Sequence, residues 1–147
     1  MKKRILILLC AMALSPAVFA SGSQNFFKLH IFDNDTREIK SLLNSQVRYA
    51  NRTNFNKFIA TYDKDYVNAD GFNLKTYSNL VKDVCDTYDK IVYGIKIKDI
   101  SVKDDSATVE VTETSYADIP VSSTMDGVLT SESNSIYYLK KNDGDWK

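Results

Sequence analysis

The sequence predicts an α+β domain in which a layer of three N-terminal helices packs on an antiparallel sheet. Two observations predict it: apolar residues recur at three- and four-residue spacing from about Asp35 to Tyr88, and two-residue alternation takes over from Ile91 onward. A third bounds the count: with only five Gly and two Pro, and no repeat or low-complexity tract, the chain offers no internal linker.

The elements follow in order. Phe26, Phe27, Leu29, Ile31 and Phe32 form an apolar patch, readable either as a short strand or as a plug over the core. Asp35 and Glu38 have the spacing of a capping box, so the first helix is expected over 36–52, with Ile39, Leu42, Leu43, Gln46, Val47 and Ala50 on one face. Thr53 is the expected cap of a second, shorter helix carrying Phe55, Phe58, Ile59 and Tyr62. A brief extended piece over 63–68 and a turn at Ala69-Asp70-Gly71 lead to Asn73, which can cap a third helix. That helix turns Leu74, Tyr77, Leu80, Val81, Val84, Cys85 and Tyr88 inward.

Tyr93, Ile95 and Ile97 then share one strand face, after which the pattern slips by one residue to Ile100 and Val102. Such a slip would invert every later side chain unless an extra residue is absorbed, so a β-bulge is expected near Lys98-Asp99. Asp104-Asp105 turns the chain into Ala107, Val109 and Val111, with Thr108, Glu110, Thr112 and Thr114 on the opposite face. A loop over 118–126 and a strand over 127–141 precede Asn142-Asp143-Gly144, a strong hairpin signal, and Trp146 opens a final strand. So short a strand after so clear a turn suggests that the sequence is a fragment at this end.

The first twenty residues have the three parts of a secretory signal: basic Lys2, Lys3 and Arg4, an apolar run from Ile5 to Leu14, and Val18-Phe19-Ala20 at the cleavage positions. The run is shorter than the roughly 20 residues a membrane span needs, so cleavage is expected rather than a retained anchor. The expected organisation is a signal over 1–20, a leader over 21–34 and the domain over 35–147, exported to the periplasm or secreted. Cleavage leaves 16 Lys and Arg against 19 Asp and Glu, a mildly acidic balance that argues against nucleic acid. It also leaves Cys85 as the sole thiol, read as an inert core residue because neither a base nor a helix N-terminus lies beside it in sequence.

With the elements in place, Val47 to Gly71, including Asn54, Phe58, Tyr62, Asp65, Tyr66 and Gly71, resembles the helix-turn-helix and following strand of the nuclear transport factor 2-like superfamily. Tyr137-Tyr138-Leu139-Lys140 through Asp143-Gly144-Asp145-Trp146-Lys147 resembles that group's closing hairpin. The resemblance covers about 35–147 and implies a cystatin-like cone: three helices on a strongly curved sheet, with a cavity on the concave side. Members include isomerases, dehydratases and epoxide hydrolases as well as proteins without known catalysis, so fold alone does not decide function.

By that resemblance Asp70 falls near the carboxylate with which ketosteroid isomerases of the superfamily move a proton. The partner position, commonly a Tyr on the first helix, is near Gln46, and Tyr49 lies one turn away, a departure from the pattern. Tyr49, Tyr62, Tyr66, Tyr77 and Tyr88 fall on or beside the helical apolar faces and suit either core packing or the wall of a ligand pocket. His30 is the only histidine, which argues against a zinc site or a histidine-based triad; no calcium loop or phosphate loop occurs, and no cofactor is expected.

The leading expectation is therefore a non-enzymatic domain that binds a small apolar or amphipathic molecule, or a protein partner, through the concave face. The alternatives are an isomerase or hydratase using Asp70 with Tyr49 or Gln46, and an oligomeric interaction module, a homodimer in the simplest case.

Overall fold

The computed structural model describes residues 31–88, 90–118 and 128–147. The leader patch before Ile31 and the loop expected over 118–126, apart from Asp118, lie outside the described residues. Helix α1 (Ile31–Asn51), helix α2 (Phe55–Ile59) and helix α3 (Leu74–Thr87) precede strands β1 (Lys90–Lys103), β2 (Ser106–Asp118), β3 (Val128–Asn142) and β4 (Asp145–Trp146). The strands form one antiparallel sheet in sequential order, curled into a half-barrel with the helices against it.

Alternation decides which sheet face is buried. On β2, Ala107, Val109, Val111, Glu113, Ser115 and Ala117 point inward, and their cross-strand partners on β3 share that face. Ile39 and Leu43 of α1 meet Val109 and Val111 at 0–1% exposure, and burying each such side chain contributes about 1.5–3 kcal/mol. The register of β1 on β2 shifts between Ile97 and Asp99, which is the bulge expected from the slip in the apolar pattern. It keeps Ile95 and Ile97 on the core side together with Ile100 and Val102.

Two helix starts differ from expectation. Asp35 caps nothing: α1 already includes Ile31 to Asn34, and Asp35 lies inside the helix, buried, where Oδ1 accepts from Lys141 Nζ at 2.6 Å and from Trp146 Nε1 at 3.2 Å. The carboxylate that looked local in sequence ties α1 to the final hairpin. At the second helix the cap is Asn54, whose side chain accepts from Lys57 N; Thr53 instead takes a left-handed φ of 50° in the connection. Asn73 caps α3 as expected, its side chain accepting from Thr76 N at 3.0 Å. Of the extended piece over 63–68 only Val67 pairs, in an isolated bridge to Asn73, and Gly71 takes the turn's positive φ of 79°.

At the β1 edge of the sheet, Asn51 fastens the helical layer to the strand backbone. Asn51 Nδ2 donates to Tyr93 O at 2.9 Å and Asn51 Oδ1 accepts from Tyr93 N at 2.6 Å, so the end of α1 does for edge strand β1 what a further strand would do. Among the described residues no helix is long and apolar enough to cross a membrane.

Candidate functional site

The concave face changes character along β2. Val109 and Val111 are followed, on the same side, by Glu113 and Ser115, and β3 faces them with Ser131, Ser133 and Ser135. Glu113 is 4% exposed. Its Oε1 accepts from Tyr93 Oη at 2.5 Å and from Tyr137 Oη, while its Oε2 accepts from Ser135 Oγ at 2.5 Å. The two phenol oxygens lie 3.1 Å apart. Three side chains from the two flanking strands thus converge on one carboxylate, and their hydroxyl donors take the place of the water it loses on burial.

A second aromatic group closes over this centre from the helical side. Tyr62 stacks edge-on with Phe58, Tyr66 and Tyr77 at centroid distances of 5.4, 4.9 and 5.2 Å, and the Tyr62 and Tyr77 hydroxyls are 3.2 Å apart. Burial pushes the Tyr62, Tyr93 and Tyr137 phenols well above their ordinary range; neighbouring phenols add to this at Tyr62 and Tyr93, the Glu113 carboxylate adds to it at Tyr93 and Tyr137, and the hydrogen bond with Tyr93 opposes it at Tyr137. Tyr66 is raised too, by burial first and then by Glu113 and Asp70. At neutral pH all four are therefore O–H groups, and those of Tyr93 and Tyr137 donate to Glu113.

Sharing Tyr93 with this centre is a cavity of about 30 Å³, room for a couple of waters. Its walls include Tyr49, Phe55, Phe58, Val81, Val84, Cys85 and Ile91, and Tyr93 and Ser115 also line it. Tyr93 therefore belongs to both the cavity and the carboxylate centre. Cys85 lines the cavity half-buried, and burial pushes its thiol up, which is the behaviour of an unreactive packing residue.

The residues singled out in the sequence are distributed unevenly. Tyr62, Tyr66 and Tyr77 come together around the centre, Tyr49 lines the cavity, and Tyr88 packs into a separate core group with Val84, Ile91 and Ala117. The catalytic assignment to Asp70 is corrected: its side chain is exposed in the turn before Gly71. Gln46 is buried, but its amide donates to Thr61 Oγ1 at 3.0 Å and so joins α1 to the end of α2 instead of facing a carboxylate. Glu113, Tyr93, Tyr137 and Ser135 were not in the expected site. The signal for Glu113 was present, because the alternation through Ala107, Val109 and Val111 continues unbroken to place it inward. No group of three or more His, Cys, Asp or Glu that could hold a metal occurs among the described residues.

No family model and no curated protein matches the chain. Solved structures do. A proposed scytalone dehydratase from Novosphingobium aromaticivorans is 15% identical with a TM-score of 0.66, over 82% of this chain and 83% of that one. A proposed dehydratase of the nuclear transport factor 2-like family from Streptomyces avermitilis is 13% identical with a TM-score of 0.63, over 78% and 92%. A conserved protein from Planctomyces limnophilus is 8% identical with a TM-score of 0.68, over 78% and 91%. At these identities the likeness is one of fold.

Proposed function

We propose that this chain, whose fold is the cone of the nuclear transport factor 2-like superfamily, is an exported protein that binds a small amphipathic molecule on its concave face. The observation that carries the reading is the buried Glu113 carboxylate, held among the described residues by three hydroxyls, one of them from Tyr93, which also lines an apolar cavity. A fold held by its core has no use for a carboxylate there, since apolar residues of similar volume would stabilise it as well. A ligand with a polar head and an apolar body would use both halves of the site.

The cavity is smaller than the roughly 300 Å³ of ordinary ligand pockets, so binding opens it. The wall that yields is the five-residue α2 with the half-buried Phe55, because a helix of that length has little stability of its own. Titration of the labelled protein with small amphipathic molecules, followed by amide chemical shifts, tests this reading. Shifts should concentrate at Tyr93, Glu113, Ser115 and Ser135 and in α2, and Glu113→Ala should abolish them; shifts scattered over the outer sheet face would overturn it. Fractionation of the native host, with the protein found in the cytoplasm, would overturn export.

One observation favours a second reading, an acid–base enzyme of the dehydratase or isomerase kind. Glu113 can accept a proton and the adjacent Tyr93 or Tyr137 hydroxyl can donate one, the pairing that Asp70 was expected to supply. Two of the similar structures are named as proposed dehydratases. Exchange of a carbon-bound proton of a bound ketone with solvent deuterium, lost in Glu113→Gln, would establish it; binding without exchange would leave the chain a binding protein.

A further inference from the structure

We infer that the ligand of this site is a short-chain primary ammonium ion, with Glu113 as its counter-ion; the inference rests on the concave-face reading above and names the chemistry of the bound head group. The argument begins with charge. Two ionisable carboxylates are buried among the described residues, and they differ in what faces them. Asp35 has the Lys141 ammonium at 2.6 Å. Glu113 has three hydroxyls and no described cation. A buried carboxylate without a cation is costly even when hydrogen-bonded, and a cationic ligand removes that cost while a neutral one does not.

The open hydrogen-bonding positions specify the kind of cation. A carboxylate oxygen accepts two bonds; Oε1 has both, from Tyr93 and Tyr137, and Oε2 has one, from Ser135. Directly across the β2–β3 register from Glu113 stands Ser133, whose Oγ is buried without a partner among the described residues. A half-satisfied carboxylate oxygen and an orphan hydroxyl on one face ask for a donor that serves both. A primary ammonium carries three N–H groups and can supply both at once; a quaternary ammonium has none, and an alcohol has one.

The cavity sets the remainder of the ligand. Its walls of Phe58, Val81, Val84 and Ile91 suit an alkyl chain, and aromatic rings beside a cation add attraction. The closed cavity holds only about 30 Å³, so a short alkyl chain asks for the least opening of α2.

Propylamine, protonated at neutral pH, and its neutral counterpart propan-1-ol are the probes, titrated into the whole protein by amide chemical shift. Propylammonium should saturate with at least ten-fold higher affinity than the alcohol, move the Glu113 and Ser133 amides, and weaken several-fold in Ser133→Ala. Glu113→Gln should reduce the two probes to equal affinity. Equal affinity in the unaltered protein would overturn the ammonium assignment while leaving the concave site standing. Binding of neither probe would overturn the ammonium assignment; the concave reading would then stand or fall on the titration with larger amphipathic molecules. If Glu113→Gln does not fold, the amine-to-alcohol ratio in the unaltered protein and the weakening of propylammonium in Ser133→Ala still decide.

Discussion

At the scale of single residues, two buried carboxylates with different surroundings should respond differently to removal. Glu113→Gln keeps the shape, and the hydroxyls of Tyr93, Tyr137 and Ser135 can each turn to accept as well as donate. Stability by urea unfolding should therefore change by no more than about 1 kcal/mol while ligand binding falls, because a desolvated charge is lost along with its bonds. Asp35→Ala is the reverse case: it strands the buried Trp146 N–H and removes the main partner of Lys141, costing about 1–3 kcal/mol with binding intact. The hydrogen bond from Lys141 holds the Asp35 carboxyl below its ordinary value of 3.8, with Trp146 acting the same way and burial opposing. Stability from this group is complete above that ordinary value and is lost as pH falls through the lower folded one, so Asp35→Asn should flatten the acid limb of the stability curve. Both residues were visible in the sequence, and neither was recognised as buried, for one reason. Charged side chains are usually exposed, so Asp35 looked like a cap and Glu113 was passed over although the alternation reaches it; the partners that hold each one lie far away in sequence.

Elements were more legible than sites because their signals are local. The switch of apolar period, the Asn73 cap, the bulge at Ile97 to Asp99 and the Asn142-Asp143-Gly144 turn all lie within a few residues of the structure they specify. The failures at this scale involve partners elsewhere in the chain: Thr53 lost the second cap to Asn54 because the connection from α1 demands a left-handed residue there. The tie from Asn51 to Tyr93 is another such case, its members separated by 42 positions in the sequence. Asn51→Ala should remove both hydrogen bonds to the backbone of β1, lower stability by about 1–3 kcal/mol and accelerate exchange of the Tyr93 amide. Because the same strand carries the Tyr93 hydroxyl to Glu113, ligand affinity should fall as well. Asn51→Asp, which keeps the acceptor for Tyr93 N, should retain amide protection at Tyr93 better than Asn51→Ala; equal protection in the two variants would show that the tie does not set the position of the strand.

For the whole molecule, the decisive property is an interior in which phenols from both layers meet and are held neutral. Tyr62 from the helical side and Tyr93 and Tyr137 from the sheet all have their ionisation pushed up, first by burial; neighbouring phenols add to this at Tyr62 and Tyr93, and the Glu113 carboxylate adds to it at Tyr93 and Tyr137. A folded-state value above the unfolded value of about 10 means that the native state keeps protons which the unfolded chain gives up. The stabilisation is complete below that unfolded value, and it declines as pH rises above it and through the folded values. The chain should therefore unfold in alkali by a transition in which phenolate absorbance at 295 nm and loss of near-ultraviolet circular dichroism coincide. Tyr62→Phe should move that transition to higher pH, since it removes one group whose ionisation pulls the equilibrium toward the unfolded state. The substitution also deletes the hydroxyl 3.2 Å from that of Tyr77, so some stability at neutral pH is lost, and the two effects separate along the pH axis. Should these phenols ionise with circular dichroism unchanged, water would have to reach them in the native state, and the closed interior that gives Glu113 its need for a cation would not exist.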